Sequence, residues 1–323
     1  MTTEAVAAEG IPDKVPVEVP IEPARRGTRR LARIWADLVT LARPVQWTKN
    51  VLVIPLAAAS GASWDAGALL RTGWAVIVFC LASSMVYVIN DIADRDLDRA
   101  HPAKRMRPIA SGRISASGAR IYAGALALLL CMAAFAGPTM HLWPLAAYVA
   151  LNLAYSRWLK HVPLVDICVV SAGFGLRVLQ GYAATGGDFS GWFLVAVLTG
   201  CMVLIAGKRR HELTTAGTAH RPALRGYNVA LLDQVLAVSA ILAVLSFLLY
   251  LRHDAPIGDL HNLLPALAAP LALFGVFRYL QSVLVRRRGA DPVRTLMRDR
   301  LLIADALLLG AAVLTALIVE SSS

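Results

Sequence analysis

Nine long apolar stretches, separated by short charged segments, constrain this chain more than any other feature of its sequence. They occupy residues 46–63, 72–90, 116–137, 141–156, 162–184, 190–207, 228–251, 261–285 and 301–320. A membrane-spanning helix needs roughly 20 mostly apolar residues, and most of the stretches approach that length. Because 57% of all residues are hydrophobic, the composition also favours a membrane protein. The sequence therefore predicts an all-α integral membrane protein with about nine transmembrane helices.

The first part of the chain differs from the rest. Residues 1–34 mix Pro, Gly, Glu and Val without a hydrophobic period and become basic towards their end. This composition predicts a disordered basic cytosolic tail. No soluble segment between the apolar stretches is long enough to fold by itself, so residues 35–323 are predicted to form a single helical-bundle catalytic domain.

The positions of the basic residues predict the orientation of the chain in the membrane. If the N-terminus is cytosolic, only Arg71 and Arg252 of the 32 Lys and Arg residues fall in outside segments. Because basic residues collect on the inside, a multi-pass plasma-membrane protein with its N-terminus in the cytosol is expected. The net charge of +11 then reflects this bias and suits anionic lipids or phosphorylated substrates, and no nucleic-acid partner is expected.

A run of acidic residues follows the second apolar stretch, in the sequence NDIADRDLD at 90–98. At 100° per residue, Asn90, Asp91, Asp94 and Asp98 share one face of a helix that continues past the membrane surface. Asp96 falls on the other side, where pairing with a neighbouring arginine is expected.

Three carboxylates on one face repel one another unless a cation lies between them. Mg²⁺ suits this position, since it takes one or two carboxylates and completes its coordination with phosphates and water. Asn90, Asp94 and Asp98 are therefore predicted to bind Mg²⁺, with Asp91 as a further ligand or a neighbour of one. Asp91, Asp94 and Asp98 are predicted to be catalytic.

Further candidates for substrate binding lie mostly near the cytosolic ends of the predicted spans. They are Lys49, Asn50, Lys104, Arg105, Arg107, Tyr155, Lys160, Arg177, Lys208, Arg209 and Glu212. The bases of 104–107 lie between Pro102 and Pro108, which predicts a loop able to fold back over the acidic run. Arg177 lies midway along its span, where a charge is expected to be functional or paired. For any single base at a cytosolic end, the positive-inside bias is an equally good explanation.

The acidic pattern NDxxDxxxD, at the end of the second of nine spans, resembles the first Asp-rich motif of the UbiA-type prenyltransferase superfamily. The resemblance covers residues 40–320. It implies a UbiA-type helical bundle with a cytosolic-side cavity, in which Mg²⁺ is held against a diphosphate. Most members have a second acidic motif after the sixth span, but this sequence reads GKRRHEL there, at 207–213.

Several longer runs are similar to one branch, the decaprenyl-phosphate phosphoribosyltransferases of arabinan cell-wall synthesis. They are RPVQWTKNVLV at 43–53, the acidic run extended to Gly112, YSRWLKHVPLVDICVVSAGFGLRV at 155–178, GKRRHEL, and RPALRGYN at 221–228. The resemblance implies transfer of phosphoribose from phosphoribosyl diphosphate (PRPP) to a polyprenyl phosphate, with release of diphosphate. It also implies Mg²⁺ as cofactor and a homo-oligomer as a possible assembly.

Two other functions are compatible with the sequence. A UbiA-type aromatic polyprenyltransferase would use the same first acidic motif, but the missing second motif and the many bases disfavour it. A transporter of phosphorylated lipids or anions would use the spans and Arg177. Against this, the charged residues cluster on one side and the two halves show no inverted repeat.

Overall fold

The computed structural model describes residues 24–54, 65–102, 104–217, 222–286, 289 and 291–322. Eleven α-helices and four short 3₁₀ segments make up its regular structure, and these residues contain no β-strand. The helices are α1 (Ala24–Ala42), α2 (Ala66–Ala93), α3 (Arg95–Ala100), α4 (Ala116–Ala136), α5 (Trp143–Arg157), α6 (Val165–Thr185), α7 (Gly191–Ala216), α8 (Val229–His253), α9 (Leu263–Leu284), α10 (Pro292–Arg298) and α11 (Arg300–Ser322). The predicted all-α class is confirmed.

Seven helices in the described part of the chain are long and apolar enough to cross a bilayer: α2, α4, α6, α7, α8, α9 and α11. The protein is therefore a multi-pass membrane protein, but the predicted count of nine is not confirmed. The predicted span at 141–156 forms α5, which has only 15 residues. The predicted span at 46–63 begins in a 3₁₀ segment, Pro44–Val53, and residues 55–64 lie outside the described residues.

The predicted tail at residues 1–34 also needs correction at its end. Helix α1 begins at Ala24, so residues 24–34 are helical instead of disordered. An amphipathic arrangement of residues stabilises a helix here, which the expectation from composition overlooked. Residues 1–23 lie outside the described part of the chain.

Helices α2, α4, α5, α6, α7, α8, α9 and α11 run in alternate directions along the chain, with the shorter helix α5 returning between spans α4 and α6. Helix α2 packs against α4 and α5, and α7 packs along α8. Ser115, Ser190 and Asn228 begin α4, α7 and α8, and each side-chain oxygen accepts a hydrogen bond of 2.7–3.0 Å from the amide three residues later. The C-termini of α2, α5, α7 and α9 and the N-termini of α4, α6, α8 and α11 meet at one end of the bundle, called here the site end.

At the opposite end, α4 stops at a close approach to α2. The Trp74 indole nitrogen donates a hydrogen bond of 2.8 Å to the carbonyl of Ala133, and a Cβ on Gly137 would overlap that indole.

We therefore expect Gly137→Ala to push the two helices apart and to cost about 1–3 kcal/mol of stability. A lower thermal midpoint in detergent would measure this loss. Gly124→Ala in the same helix is the control, because no atom lies within 4 Å of its added Cβ. Equal midpoints for the two variants would contradict the expectation.

Candidate active site

The acidic run is divided between two helices. Helix α2 ends at Ala93, and Asp94, with φ −91° and ψ 4°, separates it from α3. The predicted continuous helix is therefore wrong at Asp94. Asp96 lies on the exposed side, with 75% of its side chain accessible, and pairs with Arg95 and Arg99 as predicted.

Asp91 and Asp98 are brought together by one arginine. Both residues are 3% exposed, and Nη1 of Arg107 donates to Asp91 Oδ1 at 3.0 Å and to Asp98 Oδ2 at 2.7 Å. Nη2 of Arg43 donates to the same Asp91 oxygen at 2.5 Å, and Nζ of Lys104 lies 3.9 Å from Asp98 Oδ1. The Pro-bounded loop therefore folds back over the acids, as predicted, and Arg107 makes the contact.

Asp94 and Asn90 face different partners, at the end of α5. Nζ of Lys160, in the 3₁₀ segment Leu159–His161, forms an ion pair with Asp94 Oδ1. The Ser156 hydroxyl donates to Asn90 Oδ1 at 3.2 Å. The four residues predicted to share one helix face therefore divide into two pairs. Arg107 bridges Asp91 and Asp98, whereas Asn90 and Asp94 face the end of α5.

A cavity of about 180 Å³ lies next to the acids, between α2, α5, α6 and the 3₁₀ segment Pro44–Val53. Three bases, Arg43, Lys49 and Arg177, line it, and Asn90 and Tyr155 contribute polar atoms to its wall. A small cavity with three bases is suited to an anion.

Arg177 is the most deeply placed of these bases, at 4% exposure. Its Nε donates to Asn50 Oδ1 at 2.7 Å and its Nη1 to the Gly173 carbonyl at 2.7 Å, while Nη2 lies 3.1 Å from the Tyr148 hydroxyl. The Tyr148 ring also stacks on the guanidinium, 4.6 Å from Cζ to the ring centroid. Among the described residues these partners hold its orientation, and all of them are neutral, so the charge of Arg177 keeps its attraction for an anion.

Lys49 extends from the 3₁₀ segment, outside the seven spans, towards the ring of Phe174, with Nζ 6.0 Å from the ring centroid. Burial, and after it the nearby charges of Arg177 and Lys208, lower the pKa of Lys49 to about 8. A bound phosphate would reverse this effect, because an anion stabilises the ammonium form.

Arg209 and Glu212 belong to a buried network that joins α6 to α7. Arg209, 4% exposed, donates from Nε to Asp166 Oδ2 at 2.7 Å and from Nη1 to Glu212 Oε2 at 2.9 Å. The Tyr227 hydroxyl donates to the other oxygen of Asp166 at 2.5 Å. Burial, followed by this bond, raises the pKa of Tyr227 above its usual value. The network gives Arg209 structural partners, and its contact with substrate stays a prediction.

Of the remaining predicted residues, two lie at the rim of the site end and one lies beneath the cavity. Arg105 is exposed in the loop, and Lys208 is exposed on α7, close enough to Lys49 to lower its pKa. Asn50 is fully buried beneath the cavity, where it orients Arg177. Its direct contact with substrate stays a prediction.

Arg43 was missed by the sequence analysis, although it contacts Asp91 and lines the cavity. It adopts a left-handed backbone, φ 52° and ψ 59°, where the chain leaves α1 for the 3₁₀ segment that starts at Pro44. The signal available was the Pro after a base, since a proline disfavours a helical conformation in the preceding residue. Such a residue turns away from its own helix and can reach a neighbouring one.

The buried carboxylates Asp91 and Asp98 are candidate ligands for a metal ion. No group of three His, Cys, Asp or Glu side chains placed to hold a metal occurs within the described ranges. One oxygen of Asp91 and one of Asp98 nevertheless face the same position, which a cationic nitrogen of Arg107 occupies. Carboxylate oxygens are also suitable ligands for Mg²⁺. Mg²⁺ needs only one or two carboxylates when a substrate phosphate completes its coordination. The residues therefore fit a metal that arrives with a diphosphate better than a metal held by protein ligands alone.

Known proteins resemble this chain in sequence. The decaprenyl-phosphate phosphoribosyltransferase of Mycolicibacterium smegmatis is 40% identical over 235 residues, which cover 71% of this chain and 74% of that protein. The decaprenyl-phosphate phosphoribosyltransferase of Corynebacterium glutamicum is 36% identical over 221 residues, which cover 66% of each protein.

The fold and the family follow from two further comparisons. The structure of a UbiA homolog from Archaeoglobus fulgidus bound to GPP and Mg²⁺ superimposes with a TM-score of 0.68 at 17% identity, covering 87% of this chain and 99% of that chain. The sequence profile of the UbiA prenyltransferase family matches residues 51–303, well over half of the chain. This chain therefore belongs to the UbiA prenyltransferase family.

Proposed function

We propose that this protein transfers phosphoribose from PRPP to a polyprenyl phosphate and releases diphosphate, with Mg²⁺ as cofactor. The observation that carries the proposal is the base-lined cavity of Arg43, Lys49 and Arg177 beside the acids Asp91 and Asp98. PRPP carries anionic groups at both ends of its ribose, a diphosphate and a 5-phosphate. A site with a carboxylate pair for metal and a separate basic cavity matches both ends.

The diphosphate end would lie over the acids. Mg²⁺, held by Asn90, Asp94 and Asp98 with Asp91 as a further ligand or a neighbour of one, would neutralise charge on the leaving diphosphate. Arg107 stands between Asp91 and Asp98 and is carried by a loop, so it can give up its place to a metal and bind a diphosphate oxygen. Lys104, which lies near Asp98, and Lys160, which pairs with Asp94, would serve likewise.

The 5-phosphate end would enter the cavity. Arg177 is held in place by neutral partners and Lys49 loses part of its charge to burial, so a phosphate dianion would stabilise both. About 180 Å³ accommodates a phosphate group but is small for a long prenyl tail, and the three bases in its wall favour an anionic group. This supports PRPP over a prenyl diphosphate as the donor.

Helix α7, which contains the sixth predicted span, supports the same choice. Where a second acidic motif would bind a further metal, α7 carries Lys208 and the ion pair between buried Arg209 and partly exposed Glu212. Lys208 and Arg105 are exposed at the rim, where they could meet the phosphate of a lipid acceptor. Tyr155, on the wall of the cavity, is suited to hydrogen bonding with the ribose.

The chemistry requires positioning more than proton transfer. The bond from ribose C1 to the diphosphate oxygen breaks, and a bond from C1 to an acceptor phosphate oxygen forms, through an oxocarbenium-like state. The acceptor oxygen is already anionic, so a general base is not required. Charge neutralisation and alignment by the bases and acids would supply most of the acceleration.

The setting of the reaction is part of the proposal. With the N-terminus in the cytosol, the site end would face the cytosol from the plasma membrane, where PRPP is soluble and the acceptor is membrane-bound. The product would enter arabinan cell-wall synthesis, as the resemblance described in the sequence analysis implies. A homo-oligomer remains a possible assembly.

The decisive assay uses purified protein in detergent with labelled PRPP, Mg²⁺ and decaprenyl phosphate. We expect a labelled lipid, and no product when Mg²⁺ is chelated. A matched reaction replaces PRPP with a prenyl diphosphate and an aromatic acceptor. Turnover in the second reaction with none in the first would overturn the proposal in favour of an aromatic prenyltransferase. Labelled phosphate or lipid that crosses a vesicle membrane without chemical change would favour a transporter.

The acidic run provides a matched pair of variants. We expect Asp94→Asn to lower kcat/KM at least 100-fold, because a metal-binding carboxylate and the partner of Lys160 are lost. Asp96→Asn, only two residues away, should stay within about twofold, because Asp96 contacts only exposed arginines. Initial rates at saturating Mg²⁺ measure both, and thermal midpoints verify folding. Similar losses in the two variants would contradict the assignment.

Lys49 should impose a pH dependence on PRPP capture. Its ammonium form predominates below its pKa of about 8, so kcat/KM for PRPP should fall as pH rises through that value. Lys49→Arg keeps the charge at all these pH values and should remove the decline, while Lys49→Met should lower kcat/KM throughout the range. A decline near pH 8 that persists in Lys49→Arg would exclude Lys49 as its source.

A further inference from the structure

Helix α1 exposes a continuous apolar face. Leu31, Trp35 and Val39, each four residues from the next, are 60%, 68% and 52% exposed, and Ile34 beside them is 37% exposed. At 100° per residue these four lie within an arc of about 140°. Side chains of this size are normally buried, so a face of this kind indicates a contact surface.

The same helix has a strongly basic sequence. Five arginines occur in its first ten positions: 25, 26, 29, 30 and 33. The spacing of these positions in the sequence predicts that they centre on the side opposite to Leu31 and Trp35. A helix with arginines on one side and Trp and Leu on the other has the composition of helices that lie in the plane of a membrane surface.

The position of α1 in the fold agrees with this. Its C-terminal end is fixed in the bundle at the site end, where Leu41 and Ala42 are buried and the Ser84 hydroxyl donates to the Ala42 carbonyl at 3.0 Å. The next residue, Arg43, contacts Asp91 at the end of span α2. The exposed face of α1 therefore begins beside the site-end termini of the spans, and its five arginines disfavour a membrane-spanning position for α1.

We propose that α1 is an in-plane anchor whose apolar face enters the bilayer surface and whose arginines bind anionic lipid headgroups. The neighbouring spans bring the bilayer to this helix, and the charge of the arginines complements an anionic leaflet. The partner is thus the anionic membrane surface.

Two contacts link this anchor to the active site. Asp37 of α1 accepts from Nε of Arg113 at 3.0 Å, and Nη2 of Arg113 donates to the Met106 carbonyl at 3.0 Å, in the loop that carries Arg107. At the end of α1, Arg43 bonds to Asp91. Lipid binding to α1 therefore positions both an arginine of the cavity and the loop over the acids. This part of the inference rests on the proposed phosphoribosyl transfer.

Membrane insertion of α1 can be measured without activity. The full-length protein and Trp35→Phe are placed in nanodiscs of phosphatidylcholine with 30% phosphatidylglycerol, with or without bromine on the upper acyl chains. The fluorescence difference between the two proteins reports Trp35. We expect brominated lipid to quench this difference at least twofold. An unquenched Trp35 would overturn the anchor, because its face would then lie away from the bilayer.

Binding of anionic headgroups is tested with matched triple variants. Arg26→Gln/Arg29→Gln/Arg33→Gln removes three charges from α1, and Arg294→Gln/Arg298→Gln/Arg300→Gln removes three exposed charges at α10 and the start of α11. Native mass spectrometry counts the phosphatidylglycerol molecules retained by each protein. We expect at least a twofold loss in the α1 variant only. Equal retention by both variants would overturn headgroup binding by α1.

The link to the active site has its own readout. Phosphatidylglycerol should raise PRPP turnover several-fold over phosphatidylcholine alone in the unmodified protein and the α10 variant, and less than twofold in the α1 variant. Equal stimulation of all three proteins would overturn the link. Absence of turnover in every membrane would instead contradict the proposed reaction, while quenching and lipid retention would still decide the anchor.

Discussion

The structure at the site end depends on how two buried carboxylates are neutralised. Asp91 and Asp98 are both almost fully buried, and like charges this close can remain ionised only if cations are shared between them. Arg107 supplies one nitrogen to both acids, and Arg43 adds a second donor to Asp91. These bonds place the Pro-bounded loop and the end of α1 against α2, so one electrostatic requirement organises three separate segments.

Arg177 presents the opposite situation in the same bundle. Its guanidinium is held by an amide, a carbonyl and a phenol, and two neighbouring bases face the cavity with it. A positive charge buried among neutral partners is costly unless an anion arrives. The acids thus have their cations within the protein, whereas in the proposed reaction the cavity would obtain its anion from the substrate. This asymmetry is the physical basis for proposing a donor with phosphate groups at two ends.

Several features of the fold and the site could be predicted from sequence because they rest on local rules. Hydropathy locates the seven spans to within a few residues, apart from longer ends on α2 and α7, and helical periodicity separates Asp96 from its neighbours. The proline before the basic loop signals that the chain turns back. The first span and α5 were less certain, because marginal length and a 3₁₀ conformation leave little signal in hydropathy.

Other features depend on contacts between residues far apart in the chain. Sequence alone determined the membrane class, the acidic run and the excess of bases, since composition and short-range spacing specify these directly. Only the tertiary structure decided which acid meets which base: Asp91 and Asp98 with Arg107, Asp94 with Lys160, and Arg209 with Asp166. The physical reason is that many bases at one end of the bundle are equivalent in charge, and only packing of the helices selects the partners that come within bonding distance.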